Sequence, residues 1–257
     1  MTKRFGDPVA DWTAARKPEA TPLAGRYARL ERLEEDAHAA PLHAANGADD
    51  AIWDYLPYGP FATAEEYGRW VRDVSALEDP FFFAILDLDR ESTPAGVASF
   101  LRITPEVGTI EIGHINLSSP LQGRRAATEA LSLMIGWAFD AGYRRVEWKC
   151  DSFNLPSRRA AARLGFSYEG TFRQATITKG RNRDTAWFAI IDKDWPDIRA
   201  AHAAWLDPGN FSADGCQKTR LSDLTKPLLV ARDPGAAGGN LRGASHPAAP
   251  GARATSS

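Results

Sequence analysis

Apolar and polar positions change rhythm several times along the chain, and each change marks an element. In "TAEEYGRWVRDVSAL" the apolar residues Tyr67, Trp70, Val71, Val74 and Leu77 fall three or four apart, one stripe of an α-helix. Thr63 stands before that stripe with Glu66 three residues later, a capping box. "FFFAILDL" (residues 81–88) is a continuous apolar run of strand length. "AGVASFLRI" (95–103) and "TIEIGHINL" (109–117) follow it across the short turns "DRESTP" and "TPEVG", which predicts an antiparallel meander. A helix comes next, burying Leu131, Met134, Ile135, Ala138 and Phe139 and stopped by Gly142. "RRVEWKC" then alternates, with Val146, Trp148 and Cys150 on one face and Arg145, Glu147 and Lys149 on the other. Strand, helix, strand in that order predicts a parallel pair joined by a crossover. Over "NLPSRRAAARLGF" a short helix is capped by Asn154 and stopped by Gly165. Residues 167–177 and 185–192 close the pattern as a hairpin around "KGRNRD".

Upstream, residues 26–33 form a first strand, and "EEDAHAAPLHAAN" is a short helix interrupted near Pro41. Residues 1–25 are rich in Pro, Ala and charge and read as a flexible arm. The folded domain is expected over residues 26–206, followed by an extension, 207–257, largely disordered beyond about residue 220 because its Gly, Ala, Pro and Ser have little to bury.

The bulk numbers narrow the classes. The chain has 257 residues, 44 % hydrophobic and 25 % charged, with a formal net charge of −2. That balance supplies no global basic field, so nucleic acid is not an expected partner. The longest apolar runs are far too short to span a bilayer, and no membrane partner is expected. Two cysteines cannot build a disulfide framework, which favours a reducing, cytoplasmic setting. His38 and His43 are five apart, off one helical face, and no metal site is expected. Neither a Walker loop nor a GxGxxG helix start is present in the sequence.

The candidate chemistry sits in "SSPLQGRRAATEAL". A helix start exposes unpaired N–H groups and the positive end of the helix dipole, and small residues let a phosphate approach them. Gly123, Ala126 and Ala127 are small, and Arg124 and Arg125 add charge. On the residues alone, a plain turn glycine with two solvated arginines accounts for the same pattern.

Taken together, "EIGHINLSSPLQGRRAATEAL" and "RVEWKCDSFNLPSRRAAARLGFSYEG" resemble the GNAT superfamily of acyltransferases, most closely its RimJ/RimL-like branch of ribosomal-protein-alanine acetyltransferases. The resemblance covers residues 26–196. It implies a mixed α/β (α+β) fold, a twisted sheet whose fourth and fifth strands (109–117 and 145–150) splay apart, flanked by helices. It implies acetyl-CoA as co-substrate, its pyrophosphate held by Gln122, Gly123, Arg124, Arg125, Ala126 and Ala127. Arg125 stands where the family usually has its middle glycine. Ile115, Asn116 and Leu117 are the expected pairing positions for the pantetheine arm, an added strand in effect. Asn154 is expected to touch that arm, and Ser157 to serve the departing thiolate, because the tyrosine that many members place four residues before the second glycine is replaced here by Ala161. As N-cap and N3 residues Asn154 and Ser157 are equally ordinary helix chemistry.

Glu111 and His114 lie on the fourth strand and are the candidate bases. They face opposite sides if pairing is regular, and a bulge alters that. A cross-strand ion pair for Glu111 and a packed ring for His114 are the competing readings. The expected reaction is direct acetyl transfer to a primary amine, on a protein N-terminus or a small molecule, by a monomer or homodimer. The other reading is a non-catalytic acyl-CoA-binding module on the same fold.

Overall fold

The computed structural model describes residues 3–213 and 215–235. Its strands are β1 (Leu23–Ala24), β2 (Ala28–Arg32), β3 (Phe81–Asp87), β4 (Thr93–Thr104), β5 (Thr109–Leu117), β6 (Arg145–Asp151), β7 (Ser167–Thr178) and β8 (Arg181–Ile191). The helices are α1 (Ala40–Asn46), α2 (Ala64–Ser75), α3 (Arg125–Asp140), α4 (Leu155–Arg163), α5 (Trp195–Leu206) and α6 (Leu221–Thr225). All the strands join one mixed sheet in the order β1-β2-β3-β4-β5-β6-β8-β7, the expected fold class. Among the described residues no helix is long and apolar enough to cross a membrane.

Both faces of the sheet are covered, which is why β3 reads as an unbroken apolar run rather than an alternation. Phe81, Phe83 and Ile85 join the core under α3, and Phe82, Ala84 and Leu86 join the core under α1 and α2. Thr63 caps α2 as the sequence predicts, its Oγ1 accepting from the Glu66 N–H at 3.1 Å. Before α1 the chain makes a π-helical turn, Glu35–Ala39, that runs straight into the α-helix. Pro41 therefore sits in the first α turn, where its missing N–H costs nothing, and changes the helix type instead of interrupting it.

The splay is present. β5 pairs with β6 only through Thr109↔Arg145, Ile110↔Val146 and Glu111↔Glu147, and beyond Glu111 it has no strand partner on that side. A bulge in β5 accompanies the divergence. Ser99 pairs with Gly113 but Val97 with Asn116, one residue too many on β5, and His114 takes a φ of 50°. Such a bulge bends and twists its strand. β8 holds the other edge of β6 along its whole length. The hairpin turn is tighter than expected. Lys179 (φ 49°) and Gly180 (φ 73°) are both left-handed, as a two-residue hairpin turn requires, so Arg181–Asp184 lies within strand β8 rather than in a loop.

Both chain ends depart from expectation. Residues 12–24 are not a loose arm: Trp12 Nε1 donates to the Glu106 carbonyl at 2.7 Å, Ala15 N to Pro105 O at 3.2 Å and Arg16 N to Ala141 O at 2.9 Å. Residues 221–235 are folded as well, through α6 and a buried Asp233, where disorder was expected. The remaining residues of that expectation, 236–257, lie outside the described residues.

Candidate active site

The site is built around the first turn of α3. Gly123, at φ 72°, has nothing within 4 Å of where a Cβ would stand. Arg124 occupies the N-cap and provides no side-chain cap, so no capping side chain occupies the first main-chain amides of α3, which have the helix dipole behind them. Ala126 and Ala127 are buried beneath, in the core. Glu129 fixes where this turn stands. Its carboxylate, 5 % exposed, accepts from the N–H of Arg26, Tyr27 and Ala28 at 3.0, 2.5 and 2.7 Å and so staples α3 to the β1–β2 turn.

The two arginines do not reach into the turn as the sequence suggested. Arg125 makes a fork with Asp89, 2.7 and 2.9 Å, and lies over the Tyr27 ring at 4.0 Å. Arg124 pairs with Asp87 at 3.2 Å. Gln122 is likewise spent on the chain itself, its Nε2 donating to the Leu117 carbonyl at 3.0 Å. That bond occupies one of the carbonyls expected to meet a pantetheine arm. What this turn offers an anion is therefore main-chain amides rather than arginine side chains, and Arg125 in place of a glycine does not fill it because its side chain is drawn to Asp89.

On the α3 side of the gap, Asn154 caps α4, its Oδ1 accepting from the Ser157 N–H at 3.1 Å. Trp148 Nε1 donates to Ser157 Oγ at 3.0 Å. Indole can only donate, so Ser157 is the acceptor in that bond, and its own hydroxyl hydrogen is directed to the neighbouring Cys150 sulfur. Cys150 is buried beside it, and burial pushes its thiol up to about 11, with Ser157 and the Arg158 and Arg183 charges only partly offsetting. A thiol so held is a poor nucleophile.

On the opposite face the β5 bulge brings Glu111 and His114 to the same side. Ile110 and Ile112 join the core under α3, whereas the His114 ring stacks on Tyr58 at 5.6 Å and meets Phe82 at 5.1 Å, in the other core. Glu111, 3 % exposed, is held between Arg102 at 2.7 Å and Lys149 at 3.0 Å. Lys149 reaches Glu147 at 2.7 Å, Glu147 reaches Arg145 at 2.7 Å, and Arg145 reaches Glu169. Glu111 thus has the cross-strand ion pairs of its competing reading. His114 Nδ1 is buried with no hydrogen-bond partner. Burial first, then the charges of Arg102 and Arg183, lowers the ring to about 4, so it is neutral at ordinary pH. Asn116 is 3 % exposed with both amide atoms unpaired.

Sequence reasoning missed Arg102, Arg183 and Glu129. Arg102 faces Glu111 because a second bulge, in β4, gives it a φ of 48°, with Asp79 accepting from the N–H of Arg102 and Ile103 at 2.9 and 3.0 Å. Nothing local in "FLRITP" announces that bulge. Glu129, by contrast, left a signal: a carboxylate in an otherwise apolar helix start.

The description "Acetyltransferase (GNAT) domain" matches residues 28–167. Among solved structures, a GCN5-related N-acetyltransferase from Brucella melitensis shares 43 % identity, covers 85 % of this chain and 100 % of its own, and superimposes with a TM-score of 0.82. Mycothiol acetyltransferase from Kineococcus radiotolerans is 33 % identical over 185 residues, 64 % of this chain and 60 % of that protein. The ribosomal-protein-serine acetyltransferase of Escherichia coli is 36 % identical over 105 residues, 40 % of this chain and 58 % of that protein. The chain thus spans less than two thirds of these two relatives.

Proposed function

The chain belongs to the GNAT acetyltransferase domain family, and on that premise we propose that it moves the acetyl group of acetyl-CoA directly onto a primary amine, on a protein N-terminus or a small molecule. The observation that carries this is the open, uncapped start of α3 beside the β5–β6 gap, with Ser157 on one face and His114 on the other. Main-chain amides of Gly123 and of Arg125 to Ala127 fit a diphosphate, the Arg124 N–H being spent on the Leu121 carbonyl, and β5 beyond Glu111, unpaired on the β6 side, fits the amides of the pantetheine arm, Ile115 and Asn116 foremost. Asn154 stands at the start of α4, where it borders that arm. Bound there, acetyl-CoA supplies an acetyl group activated as a thioester.

The chain's own groups do the rest. His114 Nδ1, neutral and unpartnered, accepts the proton that leaves the acceptor nitrogen. Ser157 Oγ, oriented by Trp148, donates its hydrogen bond to the sulfur as negative charge gathers there. The thiolate departs hydrogen-bonded to Ser157 and takes its proton from water, into which His114 releases the one it accepted, so one proton passes in net from nitrogen to sulfur and Cys150 takes no part. Glu111 keeps Arg102 and Lys149 in place and is assigned no proton. Two features favour the non-catalytic reading: Arg125, whose side chain is drawn to Asp89 and away from the turn, and Ala161, which leaves the thiolate to Ser157.

Incubation with acetyl-CoA and a panel of amines, with free thiol as the readout, tests the proposal; no thiol release with any amine rejects it. Two variants test the parts. Ser157→Ala should lower kcat about tenfold, the worth of one hydrogen bond of roughly 1.4 kcal/mol in the transition state, with the acetyl-CoA dissociation constant nearly unchanged in calorimetry. Gly123→Ala should weaken acetyl-CoA binding by about tenfold, since the new methyl group enters the open cradle, while the strain of about 1–2 kcal/mol at a left-handed residue lowers stability with or without the ligand. It is a cleaner probe than enlarging Ala127, which is packed in the core. Unaltered affinity in Gly123→Ala removes the diphosphate from this turn.

A further inference from the structure

Among the described residues Arg183 is a cation on the acceptor face with no ion pair and no hydrogen-bonded Nε, whereas Lys179, also without an ion pair, is held by the Trp53 carbonyl at 2.8 Å. Arg183 pairs in register with Thr176, two residues past Thr185, which stands opposite Asp151 at the end of β6. Arg183 therefore projects from the part of β8 that outruns β6, at the mouth of the gap. Alternation along β8 places it on the side of Trp187, whose ring lies 3.8 Å from Lys149 Nζ, and so on the side of Glu111 and His114. Its charge is felt by His114 on β5 and by Cys150 on β6, the two strands that bound the gap.

The ion pairs on this face close without it. Arg102, Lys149 and Arg145 are matched by Glu111, Glu147 and Glu169. The neighbouring Asp184 is turned to the Gln174 N–H and the Asn182 amide, and Asp151 to the Phe153 N–H. Among the described residues Arg183 has no ion pair, and its Nε is buried without a hydrogen-bond partner. A buried guanidinium N–H left unsatisfied is costly, and the group that satisfies it best is a carboxylate, which matches the planar fork with two parallel bonds.

We propose that the acceptor amine carries a carboxylate, which Arg183 binds at the mouth of the gap while the amine lies toward His114. The inference rests on the acetyltransferase reading of the same site and narrows its acceptor. An α-amino acid and an N-terminal residue followed by an acidic one share this chemistry. A polyamine or a cationic sugar does not, and meets the unmatched charge of Arg183 with the same sign.

The test uses the whole chain, acetyl-CoA and paired acceptors: α-amino acids against their amides, short peptides with Asp against Asn or Lys at the second position, and spermidine. Each carboxylate-bearing acceptor is expected to exceed its uncharged partner at least tenfold in kcat/KM, and the amino-acid and peptide arms tell the two sources apart. Arg183→Gln should abolish most of that advantage through KM and leave the acetyl-CoA dissociation constant within about twofold. Arg183→Glu should turn the preference toward spermidine. Equal rates for charged and uncharged partners, a preference for spermidine in the unmodified enzyme, or equal losses for both partners in Arg183→Gln would overturn the proposal. So would a protein that binds acetyl-CoA in calorimetry yet turns over no carboxylate-bearing amine. Failure to bind acetyl-CoA at all is a separate result, which removes the acetyltransferase reading together with this one.

Discussion

Asp233→Asn is expected to cost about 3–5 kcal/mol of stability, the range for removing one partner of a buried ion pair. The Asp233 side chain is 1 % exposed and that of Arg158 5 %. Arg158 Nε and Nη2 meet the two carboxylate oxygens at 2.8 and 2.5 Å, and Nη1 donates to the Ser152 carbonyl at 2.6 Å. Asparagine keeps the shape and removes the charge, so the guanidinium stays buried with no counter-ion. For a chain of this size that loss lowers Tm by roughly 10 °C. The double variant Arg158→Met/Asp233→Leu should regain much of it, because a buried pair replaced by apolar groups of similar volume is often close to neutral. The effect reaches the site. Arg158 follows Ser157 on α4, and the C-terminal segment that brings Asp233 is tied down by Tyr168 N to Ala231 O at 3.1 Å and Val230 N to Ser167 Oγ at 2.9 Å. An Asp233→Asn melting point unchanged within 2 °C would mean that the segment contributes little.

That segment shows where sequence reading ran out. Strands β3 to β6 and helices α2 and α3 were legible because each announces itself through a local period, and the capping of α2 and α4 through single residues. The start of α3 was legible for the same reason: Gly123 and two alanines before an apolar stripe are a local signal. In residues 221–235 the periodic signal is a single short stripe, Leu221, Leu224 and Leu228, and their order comes from packing that stripe on the core, from Thr225 Oγ1 donating to the Arg163 carbonyl and from one ion pair reaching back to residue 158. Trp12 and Ala15 are likewise fixed by partners some ninety residues away in sequence. The acceptor face was half legible. Glu111 and His114 could be named, but their shared face depends on a bulge that puts a histidine at φ 50°; Gly113 beside it is a local signal of irregularity, one that does not say which way the next side chain turns. Arg102 and Gln174, at φ 48° and 50°, mark further irregularities in β4 and β7 around the same gap. Strained residues of this kind gather where a side chain must be re-aimed, at a cost of about 1–3 kcal/mol each. Arg183 was hidden for a different reason: a charged hairpin is common, and only the completed set of ion pairs shows which cation is left over.

His114→Gln is expected to lower kcat by about 100-fold, the lower end of what a positioned general base contributes, without moving the acetyl-CoA dissociation constant. Glutamine keeps a polar group of similar reach but cannot take a proton. The pH profile separates this from a structural role. Burial, with Arg102 and Arg183 nearby, depresses the ring to about 4, so His114 is protonated only below that pH and is a competent base throughout the neutral range. The rise of kcat/KM between about pH 6 and 9 should then follow the acceptor ammonium, whose reference value is near 8 for an α-amino group, in enzyme and variant alike. An inflection near 6.5 present in the enzyme and absent from the variant would instead mean an exposed, unperturbed imidazole. The acceptor's carboxylate adds a second consequence. Seated on Arg183, it cancels one of the two positive charges that hold the imidazole down, and the ring becomes a stronger base in the complex than in the free enzyme. The acid limb of kcat, measured at saturating acceptor, should therefore lie above 4 for carboxylate-bearing amines, and should shift little in Arg183→Gln, where that charge is already gone. A limb at the same pH for carboxylates and their amides would uncouple Arg183 from His114 and return the base to solvent water.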